Sequence, residues 1–172
     1  MRTYSKRAER EEYEHHKLFL GAGINAPSLV AYNEKDGTLV TDLIHGRIIF
    51  DNIYSTDESV SICLKLITEV EKLHNLGYLH GDLTPTNVMV SDEREVYLID
   101  FEFSSEIETE SSVEEEIIDL LRLLVIFMSG CGHMIATYNL MALCRKTGQR
   151  GALLLRNDVG YDDIRGAVIA DD

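Results

Sequence analysis

The chain reads as an α+β protein with two unequal lobes, and three observations lead there. A short strand-bearing front comes first, one polar-turned hairpin follows a long helix, and apolar residues at helical spacing fill the rest. The 172 residues suit one domain, with a front lobe over about 1–45 and a back lobe over about 46–172. That length buries a core without disulfide or metal staples.

Taken in order, residues 5–20 form a charged helix ended by Gly21 and Gly23. Pro27 opens an extended segment, Asn33–Gly37 supplies a hairpin turn, and Thr38–Leu43 returns as a strand. Val30 and Tyr32 on one strand and Leu39 and Leu43 on the other provide the apolar side chains of a small sheet. A helix over about Asp57–Leu76 places Ile62, Leu66, Val70 and Leu73 on one face, with Gly77 at its C-terminal cap. Strands Val88–Val90 and Glu95–Ile99 flank the turn Ser91–Arg94; helices over about 113–129 and 133–146 and a helical tail complete the chain.

Sixteen basic against thirty acidic side chains give a net charge of −14. Phosphates repel such a surface, which argues against a free-standing nucleic-acid binder. It fits a soluble protein that works on cations or magnesium-bound phosphates, or one that docks on a basic partner. The deficit is local: residues 91–120 hold twelve acids and one base, Arg94. These acids are expected to form a solvated rim and outer helix face. Cys63, Cys131 and Cys144 form no CxxC pair, which suggests reduced thiols in the cytosol or nucleus. Met1–Arg10 lacks an apolar signal core. The run Ile117–Met128 is broken by Asp119 and Arg122 and falls short of the roughly 20 apolar residues of a membrane span.

The chemistry concentrates in Tyr78-Leu79-His80-Gly81-Asp82-Leu83-Thr84-Pro85-Thr86-Asn87 and in Val96-Tyr97-Leu98-Ile99-Asp100-Phe101-Glu102. Asn87 and Asp100 stand at the two ends of a hairpin, which brings them back beside each other. Two oxygen-bearing side chains at one hairpin mouth suit Mg²⁺, which takes a few carboxylates plus phosphate oxygens and water. Asp82, set slightly apart, can accept the proton of an attacking hydroxyl.

This pattern resembles the protein-kinase catalytic loop, H-x-D-x-x-x-x-N, with the D-F-G motif behind it. Gly81 stands where ordinary protein kinases carry an arginine. His-Gly-Asp is shared by RIO-type kinases, aminoglycoside-type phosphotransferases and the Bud-type kinase of the KEOPS/EKC complex. "YLHGDLTPTNVMV" and "VYLIDFEFS" are most similar to the last of these. "EREEYEHHKLFLGAGINAPSLVAYN" and "VTDLIHG" resemble that family's front segment and hinge. The resemblance implies a protein-kinase-like fold with a reduced front lobe and a mainly helical back lobe. It implies Asp82 as catalytic base, Asn87 and Asp100 as magnesium ligands, and Glu12 as the glutamate that pairs with a phosphate-binding lysine. Asp42, Leu43 and Ile44 would form the hinge that meets adenine, and His80 would brace the loop. The implied cofactors are ATP and Mg²⁺. The implied activity is that of an atypical serine/threonine kinase or ATPase serving threonylcarbamoyl adenosine synthesis on tRNA, with ties to telomeres and transcription. A Kae-type ATPase subunit and a small Cgi-type activator are the implied partners. The implied location is cytoplasmic and nuclear, with tRNA met only through the complex.

The sequence also departs from that pattern. Eleven residues precede Glu12, none of them a glycine-rich loop, and Lys6 lies too near Glu12 on the same helix to face it. Either the first strands are lost or the start lies upstream of Met1. Glu102 replaces the glycine of D-F-G, a substitution expected to strain the backbone. Its carboxylate would either help hold a second cation or repel nucleotide. No A-P-E signature follows, and the end, Ile169-Ala170-Asp171-Asp172, lacks the family's basic tail; Arg145, Lys146 and Arg150 are the nearby basic residues. Two other readings stay open: a pseudokinase that serves as a binding module, and a small-molecule phosphotransferase of the aminoglycoside type.

Overall fold

The order of elements follows from where the chain can cap a helix and where it must turn. A computed structural model describes residues 2–51, 53–148 and 159–169, with residues 2–9 described by their backbone alone. Helix α1 (Arg2–Gly21) leads into strands β1 (Leu29–Asn33), β2 (Thr38–Thr41) and β3 (Gly46–Ile48). Helix α2 (Thr56–Asn75) is followed by β4 (Tyr78–Leu79), a 3-10 turn (Pro85–Asn87), β5 (Val88–Ser91), β6 (Val96–Leu98) and β7 (Ser105–Glu106). Helices α3 (Glu110–Gly130), α4 (Met134–Gly148) and α5 (Tyr161–Ile169) come last. Arg150, Ala170, Asp171 and Asp172 lie outside the described residues.

Among the described residues three small antiparallel sheets arise. β1 pairs with β2, β3–β5–β6 form a three-stranded sheet, and β4 pairs with β7. Small strands and predominant helix make this the α+β, kinase-like arrangement with a reduced front lobe that the pattern predicted. The front hairpin differs from expectation in detail. A bulge between Leu29 and Ala31 breaks the alternation, so Val30 is exposed while Tyr32 is half-buried and stacks on Tyr13 of α1. Strand β2 stops at Thr41, which leaves Leu43 beyond the sheet and 79% exposed.

Helix α2 carries the back lobe. Ser55 and Glu58 form a reciprocal capping box at its start. Glu58 also meets Arg94, and its bonds to Ser55 and Arg94 hold the carboxyl down at about 2. Gly77, at φ +89°, takes the left-handed position just past the helix end. Ile62, Leu66, Val70 and Leu73 are all fully buried. Each contributes about 1.5–3 kcal/mol relative to leaving it in water. Leu120, Leu121, Leu124 and Met128 of α3 meet the same core. The interrupting charges Asp119 and Arg122 pair with each other at 3.0 Å on the outer face. Among the described residues no helix is long and apolar enough to cross a membrane.

The front is fastened by aromatic packing. Phe19 of α1 is fully buried and meets Phe101 edge-on at 5.0 Å and Tyr78 at 5.3 Å. The Asn25 N–H donates to the buried Glu69 carboxylate, and the Asn25 carbonyl accepts from Leu98 N–H. The chain between α1 and β1 is thereby held to α2 and β6.

Candidate active site

The 3-10 turn and the β5–β6 hairpin set the geometry of the polar loop. Register pairs Val88 with Leu98, and the Ile99 N–H donates to the Asn87 carbonyl at 3.0 Å. Asp100 therefore follows one residue beyond the position facing Asn87. The Asn87 side-chain amide donates both to the Asp82 carboxylate at 2.8 Å and to the Asp82 carbonyl at 2.9 Å. Its Oδ1 stands outside those two bonds. Asn87 is buried, whereas Asp100 is exposed.

A cleft of about 450 Å³ opens beside this loop. Glu12, Asp42, Leu43, Ile44 and Asp100 all line it, with Met89 and Ile99 supplying apolar wall. Residues separated by up to 88 positions thus share one concavity. Asp82 and Asn87 adjoin it through the Asn87–Ile99 backbone bond. The Asp42 N–H is already taken by the Ser28 carbonyl at 2.8 Å, so of the three residues expected to form a hinge Asp42 has no amide proton to offer a ligand.

Backbone strain sits elsewhere than expected. Asp100, not Glu102, takes a left-handed conformation, at φ +63°. Aspartate is among the few residues besides glycine that enter this region readily, so Glu102 fits without the penalty that a D-F-G comparison suggests. Gly81 has two reasons to be glycine. Its φ is +80°, and a Cβ there would lie 2.0 Å from the Phe103 carbonyl oxygen.

Beneath the loop lies a residue that the sequence reading overlooked. Composition places Glu116 with the acidic rim, yet its side chain is only 6% exposed. Its carboxylate accepts from His80 N–H at 3.0 Å, Gly81 N–H at 2.7 Å and His74 Nε2–H at 2.6 Å. Burial opposes its ionisation, but the bonds from His74, Gly81 and His80 outweigh that and hold the carboxyl below the usual carboxylate range. The signal was present: residue 116 falls on the buried stripe of α3 with Leu120, Leu123, Leu124 and Phe127. An acid on such a stripe must find donors inside.

His80 is fully buried, donates Nε2–H to the Ile99 carbonyl at 3.1 Å and packs on Phe101. Burial lowers its pKa, keeping the ring neutral. It ties the start of the polar loop to its end. His16 is likewise pushed down by burial and donates to the Pro27 carbonyl at 2.7 Å. His15 Nδ1–H donates to Ser104 Oγ at 2.8 Å, and Ser104 in turn donates to the Phe101 carbonyl. Helix α1 thus grips the segment after Asp100.

A hairpin that returns an aspartate beside an H-x-D loop, with a small front sheet over the cleft, defines a kinase-like catalytic fold. The RIO domain family model matches residues 1–135, and the chain belongs to that family. Its likeness runs to the Bud32 type. It is 30% identical over 100 residues to the KEOPS complex subunit Bud32 of Pyrococcus abyssi, covering 57% of this chain and 44% of that protein. It is 32% identical over 91 residues to the probable bifunctional tRNA threonylcarbamoyladenosine biosynthesis protein of Methanothermobacter thermautotrophicus, covering 51% and 16%. It is also 32% identical over 106 residues to the O-antigen chain terminator bifunctional methyltransferase/kinase WbdD of Escherichia coli, covering 56% and 15%. The chain spans less than half the length of each of these relatives.

Proposed function

We propose that the chain is an atypical kinase or ATPase subunit that handles Mg-ATP in the cleft beside Asp100, within a KEOPS-like complex supporting threonylcarbamoyl adenosine formation on tRNA. The observation that carries this reading is the convergence of Glu12, Asp42–Ile44 and Asp100 on one cleft, adjoining the bonded pair Asp82 and Asn87. The complex and its tRNA task come from the Bud32 and bifunctional biosynthesis relatives. A Kae-type ATPase and a Cgi-type activator are the partners this reading names.

The donor set suits magnesium. Asn87 Oδ1 and the Asp100 carboxylate are hard oxygens, the kind of donor magnesium takes. A magnesium ion here would be completed by phosphate oxygens and water, which is its usual manner. When bound, it would neutralise charge on the transferred phosphoryl group. Asp82, oriented by the Asn87 amide, would accept the proton of the attacking hydroxyl or water. Leu43 and Ile44 would carry the backbone contact to adenine, and Glu12 of α1 would be the partner of a phosphate-binding lysine.

Asp82→Ala tests this directly. Turnover of Mg-ATP should fall by about 10²- to 10⁴-fold, the usual worth of a positioned base, while the far-ultraviolet dichroism stays unchanged. Undiminished turnover would sink the assignment. Asp100→Ala should abolish the magnesium dependence of nucleotide binding. A second reading, a pseudokinase serving as a binding module, is favoured by Glu102, an exposed carboxylate two residues from Asp100. Mg-ATP titrations with and without the partner ATPase separate the two, since a binding module takes up no nucleotide in either.

A further inference from the structure

We propose that Tyr161 of α5 is a positioning residue for the catalytic loop, acting through His74 and Glu116. The Glu116 carboxylate accepts only, so His74 must present Nε2–H to it. A neutral imidazole that donates from Nε2 carries a lone pair on Nδ1. The Tyr161 hydroxyl stands 2.6 Å from that nitrogen and is its donor. Burial pushes the Tyr161 hydroxyl well above the ordinary tyrosine range, so its proton stays in place. The series runs from the Tyr161 hydroxyl to His74, from His74 to Glu116, and from Glu116 to the amides of His80 and Gly81, immediately before Asp82.

Helix α5 is firmly seated, so this contact is no accident of a loose end. Ile164, Ala167 and Val168 are buried in the core. Arg165 pairs with Glu71 of α2, one helical turn before His74. The His74 side chain is itself only 5% exposed, so bulk solvent has little access to replace a lost partner. Residues 161–169 lie beyond the 1–135 span of the family match. Docking of α5 therefore adds a support from outside that span beneath the loop. Without the Tyr161 hydroxyl, the His74 ring loses one of the two contacts that fix its rotation, and its 2.6 Å bond to Glu116 loosens.

The test uses the full chain and Tyr161→Phe, which keeps the ring's volume. Amide exchange at His80 and Gly81, read by nuclear magnetic resonance, should quicken about tenfold, the loss expected for one hydrogen bond within a network. The Leu66 amide in the middle of α2 should change by less than about twofold. The ¹⁵N resonance of His74 Nδ1 should sit at the unprotonated position in the wild type and shift in the variant. Turnover of Mg-ATP should fall about tenfold in kcat with KM unchanged. That kinetic arm rests on the Mg-ATP reading, whereas exchange and the ¹⁵N resonance do not. A wild type without turnover therefore overturns the function and leaves the coupling to be decided by exchange. Unchanged exchange at both amides overturns the proposal. Should Tyr161→Phe fail to fold, the wild type decides, because a protonated Nδ1 on His74 would overturn the donor order.

Discussion

Replacing Glu116 by alanine should destabilise the protein far more than its neighbours in the acidic run suggest. Three buried donors converge on its carboxylate: two backbone amides at 3.0 and 2.7 Å, and the His74 ring at 2.6 Å. Stranding one buried donor costs about 1–3 kcal/mol. Removing a buried carboxylate also relieves some desolvation, which returns part of that loss. The net is a loss of about 3 kcal/mol, a large share of the roughly 5–15 kcal/mol that holds an ordinary domain together. With a urea slope of about 2 kcal/mol per molar, the unfolding midpoint should fall by about 1.5 M. Glu115→Ala is the control, since Glu115 is adjacent and exposed. It should stay within about 0.5 kcal/mol of wild type. In the double variant His74→Ala with Glu116→Ala, the losses should sum to less than the two singles, because both remove the same bond. A loss below about 1 kcal/mol for Glu116→Ala, or an equal loss for Glu115→Ala, would refute the brace.

Gly81→Ala should cost at least about 2 kcal/mol in urea unfolding, because the added Cβ meets the Phe103 carbonyl at 2.0 Å in a left-handed residue. A variant as stable as wild type would show that the loop moves freely away from Phe103. Asn87→Ala should lower Mg-ATP turnover by about tenfold or more by releasing Asp82 from two bonds, at 2.8 and 2.9 Å. Full turnover would remove Asn87 from the site. Stability should fall on acidification in two stages. His16 and His80 titrate lower in the folded protein than their ordinary 6.5, so the unfolded chain takes up protons first and stability drops as pH falls below 6.5. Glu116 is likewise depressed, so its contribution is full above its ordinary 4.5 and is lost as pH falls below that. Urea midpoints between pH 8 and 4 check this, and a midpoint that rises between pH 7 and 5.5 would contradict the histidine stage.

Helix α2 was the most legible element, because its periodicity, its capping pair and Gly77 all agree. The β5–β6 hairpin was equally plain from its polar turn. Strand β3 and the two-residue pair β4–β7 left no local signal. Their pairing is supplied by distant chain, β3 by β5 and β4 by β7, so no short window of sequence holds it. The front sheet went astray at Leu43 because the strand ends two residues sooner than its apolar pattern.

The candidate site divides along the same line. Asp82, Asn87 and Asp100 lie close together in sequence around one hairpin, and local pairing is enough to bring them together. Gathering Glu12, Asp42–Ile44 and Asp100 on one cleft requires α1 to be fastened by Phe19 against Phe101, which is a matter of packing. The acidity of residues 91–120 is evident from composition alone. Which of those twelve acids is buried is not, because a charge goes inside only where donors from other elements meet it. The sequence by itself determined the helices, the hairpin and the order of the candidate site residues, since these depend on neighbours along the chain. Tertiary structure alone decided that Glu116, His74 and Tyr161, drawn from three different helices, stand in line beneath the loop. Such a line exists only once the helices have packed and water has left the space between them.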